Sequence, residues 1–303
     1  MAGAPACVPQ PTALAAVRQV GCCGPEAAAA WHWSLPSADR VNVLRHDLPP
    51  TNRRAAALHA SAFGAGPPTA PDNVAARRRR VAAMRLALFD LDHTLLSGDS
   101  DVLWCEFLLQ MGLLDDSFVE RNRAMSEAYT AGSVTPADYC NFYASTLAGH
   151  GESYWQPVRE RFLAEVIRPR IPDDARALLQ QHRDAGHALV LTTATNRLVS
   201  ALTAKDLGVD HYLATDVEMS EGVFTGRTQG VLNMRTGKVE RLRAWLRELE
   251  QPGDVLRQAT FYTDSINDLP LLSVVRRPVV VDPDPRLEST ALRKGWQVLR
   301  FRR

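Results

Sequence analysis

The stretch Leu86–Asp101, LALFDLDHTLLSGDSD, decides how the chain is read. An apolar run, LALF, meets Asp90, and after one leucine a second aspartate, Asp92, follows, with Thr94 beyond it. So short a run reads as a buried strand rather than a helix. A carboxylate at the end of a buried strand is costly unless something pairs with it. Two of them side by side repel, unless a cation lies between them or chemistry uses their charge.

Downstream of this strand, helical patterns continue for about seventy residues: DVLWCEFLLQMGLL, DSFVERNRAMSEAYTAG, TPADYCNFYASTLAGHG and SYWQPVRERFLAEVI. Each opens on a Ser, Thr or Asp that can cap it, and two end in Gly. Strands and helices then alternate. PDDARALLQQHRDAG, NRLVSALTAKDLG, TGKVERLRAWLRELE, SINDLPLLSVV and DPRLESTALRKG read as helices. HALVLTT, HYLATDVEM, QATFYTD, RPVVVD and WQVLRF read as strands, and VFTGRTQG as a small hairpin or loop. This alternation predicts an α/β fold, Rossmann-like, with a mainly parallel sheet and helices on both faces. The helical block is too long for a crossover, so it is expected to be an inserted helical cap over residues 98–169. The α/β core is then 84–97 together with 170–303.

Residues 1–83 differ from the rest, being rich in Ala, Pro and Arg and free of lysine. No apolar period persists there, and the segment reads as a disordered extension, or as upstream sequence included ahead of Met84. The Arg77–Arg80 run would be the only basic arm for nucleic acid. A formal net charge of +1 over 303 residues gives no bias toward nucleic acid or an anionic membrane. No apolar run reaches the ~18 residues of a spanning helix. Five cysteines without a CxxC pair fit neither a disulfide framework nor a zinc knuckle, and a reducing, cytoplasmic setting is expected.

In open α/β sheets, ligands sit beyond the carboxyl ends of the strands. Four such places carry chemistry: Asp90, Asp92 and Thr94; the TTATN run; Lys238 near the start of a helix; and Asp264 with Asp268 in FYTDSINDLP. Collected at one edge, several carboxylates require a divalent cation, and oxygen ligands without a His or Cys set point to Mg²⁺. A lysine beside the ion makes the place a receptor for a phosphate dianion. Asp90 then suits a nucleophile forming an aspartyl-phosphate, and Asp92 a group that protonates the leaving alcohol and later deprotonates water.

In these motifs the chain resembles the haloacid-dehalogenase-like superfamily, within it the phosphoserine-phosphatase-like branch with a helical cap. FDLDHT resembles its DxDxT motif, LTTATN its Ser/Thr motif, Lys238 its lysine and DSINDLP its acidic motif. The resemblance spans about residues 85–303. It implies that Asp90 is nucleophile and metal ligand, Asp92 the acid/base whose carbonyl also meets the metal, and Thr193, rather than Thr192, the phosphate-binding hydroxyl. It further implies that Lys238 neutralises phosphate, that Asp264 binds metal, and that Asn267 and Asp268 support the metal and its waters.

The substrate implied is a small phosphate ester. Where phosphoserine phosphatases carry a glutamate that meets the substrate amine, this chain has Asp99. Their cap arginine has no counterpart at the matching places, Asn141 or Tyr143, although Arg121, Arg123 or Arg159 could substitute. The set FDLDHTLL, DSD and TATN is also similar to bacterial histidinol-phosphate phosphatases. Histidinol phosphate has an amine and an imidazole but no carboxylate, which suits Asp99 and Asp101. As a plain structural residue, Asp99 or Asp101 would cap the first cap helix. Phosphoserine is the alternative substrate. Phosphoryl transfer to another acceptor and a non-catalytic binding protein are the alternative functions. His93 reads as a spacer, Trp104, Phe107, Phe142 and Tyr143 as packing residues, and Cys105 and Cys140 as buried thiols.

Overall fold

The computed structural model describes residues 84–303, so the expectations for residues 1–83 lie outside the described residues. Seven strands form one sheet in the order β4-β3-β2-β1-β5-β6-β7. They are β1 (Leu86–Phe89), β2 (Ala188–Asn196), β3 (His211–Ser220), β4 (Val223–Gln229), β5 (Thr260–Thr263), β6 (Arg277–Val281) and β7 (Gln297–Leu299). All pairings are parallel except that of β3 with β4; VFTGRTQG, expected as a small hairpin or loop, is instead the single strand β4, because it pairs along its length with β3.

Side chains alternate between the two faces, as the pleat requires. Ala87, Phe89, Leu189, Leu191, Val279 and Val281 enter one apolar cluster, while Leu86, Leu88, Val190 and Val280 enter the other. The first cluster is covered by α5 (Asp173–Asp184) and α6 (Arg197–Asp206), the second by α7 (Thr236–Glu248), α8 (Leu269–Leu272) and α9 (Pro285–Lys294). The first strand is central and buried throughout, with exposures of 0–3%. Its neighbours β2 and β5 lead the chain away in opposite directions, so the sheet's topological switch lies at β1.

Between β1 and β2 stand α1 (Ser100–Gln110), α2 (Ser117–Ala131), α3 (Pro136–Ala144) and α4 (Glu152–Phe162). Local chemistry explains their ends. Thr135 and Asp138 form a reciprocal capping box at α3, and Gly132 closes α2 in the left-handed conformation. Trp104, Phe107 and Leu108 of α1 and Trp155, Val158 and Phe162 of α4 join the same apolar cluster as the sheet. Among the described residues, Cys105, Phe118 and Tyr143 form a further small buried cluster. Two helical expectations are too long. TPADYCNFYASTLAGHG is α3 followed by a 3₁₀ turn, Ser145–Leu147. SINDLPLLSVV is a 3₁₀ turn, Ile266–Asp268, and the four-residue α8, because Ser265 caps the turn and Pro270 restarts the chain inside the first turn of α8.

Candidate active site

The site is built at the carboxyl end of β1. Asp90 continues the β1–β5 pairing, its N–H donating to the Tyr262 carbonyl at 2.9 Å. The side chain is 6% exposed. Lys238 Nζ donates to Asp90 Oδ1 at 2.8 Å and to Asp268 Oδ2 at 2.6 Å, and the Thr263 hydroxyl donates to the same Asp268 oxygen at 2.9 Å. The Thr94 hydroxyl lies 3.3 Å from both Asp90 Oδ2 and Asp264 Oδ1, and it accepts the Asp264 N–H at 3.0 Å. Strand end, first turn, α7 and the β5 loop therefore meet on a few oxygens.

Burial, only partly offset by Lys238, pushes Asp90 up to about 7, and the charges of Asp268 and Asp92 add to the rise. Burial and the neighbouring Asp90 and Asp268 charges likewise hold Asp264 well above the usual carboxylate range. For Lys238 burial pulls downward, but the carboxylates of Asp268 and Asp90 outweigh it and raise the amine above its ordinary value. The protein thus confines more negative charge than one ammonium neutralises.

That surplus is the test of whether a cation fits. Among the described residues no three His, Cys, Asp or Glu side chains are placed to cage an ion. Asp268 meets the lysine instead, and the Asp92 carboxylate faces elsewhere. What remains is Asp90 with Asp264, two oxygen donors sharing Thr94. This is the donor set that suits Mg²⁺, which keeps most of its waters and binds through one or two carboxylates.

Asp92 has a different environment. The Ser100 N–H, at the start of α1, donates to its Oδ1 at 2.7 Å. The hydroxyls of Thr195 and Thr193 donate to Oδ2 at 2.7 and 3.3 Å. Thr193 and Thr195 share a face of β2, two residues apart, whereas the Thr192 hydroxyl accepts from Asn233 Nδ2 at 3.0 Å. The period of two along TTATN was the signal for Thr195, which the motif comparison had passed over. Asn233 was missed altogether. It is fully buried and also donates to the carbonyls of Thr193 (2.9 Å) and Leu213 (3.0 Å), tying the loop before α7 to the end of β2. Asp284 was missed too: its Oδ2 accepts the Ile266 N–H at 2.6 Å while its Oδ1 caps α9. It holds the loop that carries Asp264.

Lys238 owes its place to Gly237. A Cβ on Gly237 would lie 2.0 Å from the Leu232 carbonyl oxygen, so only glycine lets α7 begin this close to the preceding loop. Arg235, just ahead, has φ +51° and ψ −127°, and its guanidinium carbon stands 6.0 Å from the Tyr129 ring centre. The Tyr129 hydroxyl accepts from Asn267 Nδ2 at 3.3 Å, so Asn267 faces α2.

Asp99, rather than Asp101, is the cap of α1: its Oδ1 accepts the N–H groups of Asp101 and Val102 at 2.9 and 3.1 Å. Its other oxygen accepts from the Tyr139 hydroxyl at 3.4 Å. Asp101 is buried and accepts from Asn196 Nδ2 at 3.2 Å. Burial, followed by the nearby Asp92, pushes Asp99 up to about 6, and burial with the charges of Asp99 and Asp92 holds Asp101 well above the usual carboxylate range. Asn141 and Tyr143 have structural partners, Thr228 and Asn122. Arg121 pairs with Asp115 and Arg123 with Glu120 and Glu127 on the surface, while Arg159 donates to Gln156. None of the three arginines reaches Asp99 or Asp92 in these contacts.

A model of the haloacid dehalogenase-like hydrolase family matches residues 87–273, from β1 through the acidic loop. The chain belongs to the haloacid dehalogenase-like hydrolase family. It is a phosphoric monoester hydrolase of the phosphoserine-phosphatase-like branch. This hydrolase is 35% identical to the histidinol-phosphatase of Neisseria meningitidis serogroup C over 219 residues, 72% of this chain and 99% of that one. It is 34% identical over 225 residues to phosphoserine phosphatase SerB1 of Mycobacterium tuberculosis, covering 71% and 70% of the two chains. A crystal structure of a protein of unknown function from Bordetella pertussis matches with TM-score 0.68 and 40% identity, over 72% of this chain and 98% of that one. A phosphoserine phosphatase bearing a phospho-aspartyl intermediate analogue shares the fold, with TM-score 0.54 and 15% identity over 73% and 95% of the two chains.

Proposed function

We propose that the hydrolase is a Mg²⁺-dependent phosphomonoesterase working through an aspartyl-phosphate on Asp90, with a small amine-bearing ester, histidinol phosphate, as substrate. The observation that carries the mechanism is the contrast between the two aspartates. Asp90 is fixed by a buried ammonium, and Asp92 by hydroxyls and one backbone N–H. A hydroxyl donates or accepts, so Thr193 and Thr195 suit Asp92 with or without a proton.

Asp90 attacks phosphorus as the bond to the ester oxygen breaks, and Asp92 delivers its proton to that oxygen, releasing the alcohol. Asp92 then takes a proton from the water that attacks the aspartyl-phosphate, and phosphate leaves with Asp90 restored. Lys238 holds Asp90 ionised and aimed throughout. Held by Asp90 and Asp264, Mg²⁺ would supply positive charge to the phosphoryl oxygens and favour the ionised form of both carboxylates. Residues 98–169 would act as the cap. Since α1 and α4 pack into the sheet's own cluster and Asn141 of α3 accepts from Thr228 of β4, α2 is the part that would close over the substrate.

The substrate reading rests on Asp99 and Asp101. Both are acids raised first by burial, Asp99 then by the Asp92 charge and Asp101 by those of Asp99 and Asp92, and their partners are backbone N–H groups, Asn196 and Tyr139. An ammonium or imidazolium arriving beside them would relieve that repulsion. The name of the Neisseria relative agrees with this choice. One observation favours phosphoserine instead: Arg235, over Tyr129 and three residues before Lys238, could hold a substrate carboxylate.

Phosphate release with Mg²⁺ from histidinol phosphate, phosphoserine and a panel of sugar phosphates separates these readings. A kcat/KM at least about 100-fold higher for histidinol phosphate is expected, about 2.7 kcal/mol of discrimination. Preference for phosphoserine, lost in Arg235→Ala, would establish the second reading. Asp99→Asn keeps a good helix cap while removing charge, so it should raise KM for histidinol phosphate and leave α1 intact. Asp90→Asn should abolish turnover, by a factor of about 10³ or more, while leaving the fold unchanged. Activity near wild type in that variant would end the aspartyl-phosphate mechanism.

A further inference from the structure

Arg303 reaches back 210 positions in sequence onto the turn that carries Asp92 and Thr94. Its Nη1 donates to the Leu96 carbonyl and the Ser97 hydroxyl, each at 3.0 Å. Its Nη2 donates to the Thr94 carbonyl at 3.1 Å and to the His93 carbonyl. Nε donates to Asp282 Oδ2 at 2.8 Å, so every nitrogen of the guanidinium is engaged. The same Asp282 oxygen accepts the Phe301 N–H at 3.4 Å, which aims the arginine.

The turn needs such a clamp. The Leu91 carbonyl takes the N–H groups of Thr94, Leu95 and Leu96, winding the chain tightly, and His93 is forced to φ +55°. A residue with a Cβ holds that conformation only when its surroundings impose it. Thr94 shows the arrangement from both sides: its hydroxyl faces Asp90 and Asp264, and its carbonyl faces Arg303. Asp282 neutralises the guanidinium, so what the arginine contributes to the turn is geometry rather than charge.

We infer that Arg303 is a positioning residue for Asp92, and that it sets where the proton donor stands relative to the leaving oxygen. This rests on the reading of Asp92 as the acid in a phosphatase. Asp92 opens the turn, and with the turn wound this way its carboxylate meets the Thr195 hydroxyl and the Ser100 N–H. With the guanidinium gone, His93 can relax to negative φ and carry Asp92 with it.

The test compares kcat/KM on two esters, in wild type and Arg303→Ala. One is an alkyl phosphate, histidinol phosphate or phosphoserine, whose alkoxide must be protonated as it leaves. The other is p-nitrophenyl phosphate, whose phenolate leaves without a proton. The expected result is a loss of about 100-fold on the alkyl ester, the scale of an ångström of misplacement, with less than about tenfold on the aryl ester. The ratio of the two is independent of how much variant protein is folded. Arg303→Lys, which keeps the charge but not the fork, should shift the ratio in the same direction. Asp282→Asn should do so by less. Equal losses on both esters, or no loss on either, would overturn the inference. Failure of the wild type on every ester would instead bring down the phosphatase reading and this one with it.

Discussion

Lys238 is the one ammonium set between Asp90 and Asp268, with all three side chains almost wholly buried. Removing one member of a buried ion group leaves the others uncompensated, at a cost of about 3–5 kcal/mol. Lys238→Met should therefore lower stability by that order at neutral pH and abolish turnover. Because Asp90 is already raised to about 7, mild acid should protonate it and recover part of the loss. Urea unfolding at pH 5.5 and 7.5 checks this; an equal deficit at both values would contradict it. At this scale the motif residues Asp90, Asp92, Thr193, Lys238, Asp264 and Asp268 could be found by reading along the chain. Of the two acids either of which was expected to cap α1, Asp99 takes both N–H groups, and Asp101 turns to Asn196. Sequence position alone does not choose between two acids at a helix start, since the choice depends on φ and ψ of the residue before the first turn.

At the scale of elements, the site depends on how closely α7 starts against the loop that precedes it. Gly237→Ala would push a methyl into the Leu232 carbonyl, where backbone cannot yield cheaply. Overpacking of this kind costs about 1–3 kcal/mol. Because Lys238 is the next residue, kcat should fall at least about tenfold, since displacing a positioned group by an ångström costs up to about 10²-fold. Thermal melting and phosphate release on the same variant check both halves; an unchanged kcat would show that Lys238 tolerates the shift. VFTGRTQG, expected as a small hairpin or loop, is one strand paired with β3, but the other strand and helix types were legible from apolar period and length. The over-long helix at SINDLPLLSVV was not. Its short 3₁₀ turn and α8 follow from Ser265, Pro270 and the distant Asp284, which takes the Ile266 N–H.

The whole molecule concentrates buried carboxylates at one sheet edge, and this couples protons to stability. A carboxylate whose folded pKa is raised keeps its proton in the native state where the unfolded chain has lost it. Asp90 and Asp99, raised to about 7 and about 6, thus favour unfolding progressively as pH climbs from about 4 through those values. His182 opposes this, because burial lowers it to about 4 and its contribution is lost as pH falls. The difference between melts with and without Mg²⁺ cancels the histidine. On the proposed reading, Mg²⁺ held by Asp90 and Asp264 would compete with protons there, so the gain in Tm should be small at pH 5.5 and several degrees at pH 7.5, for a dissociation constant well below the added concentration. A gain independent of pH would place the ion away from these carboxylates. Among the described residues no helix is long and apolar enough to cross a membrane.

By itself, the sequence determined the fold class and the family motifs. Apolar period is a local signal of strand and helix, and carboxylates placed after strands have few cheap structural uses. It also placed several carboxylates and one lysine after strands and at a helix start, the pattern from which a cation is proposed. Only the tertiary structure decided which groups hold those charges in place. Asn233 ties β2 to the loop before α7, Asp284 braces the acidic loop, and Arg303 clamps the turn after Asp90. Each acts through hydrogen bonds to backbone groups far away in sequence, and a backbone carbonyl carries no residue-specific mark that a reader of the chain could match to its donor.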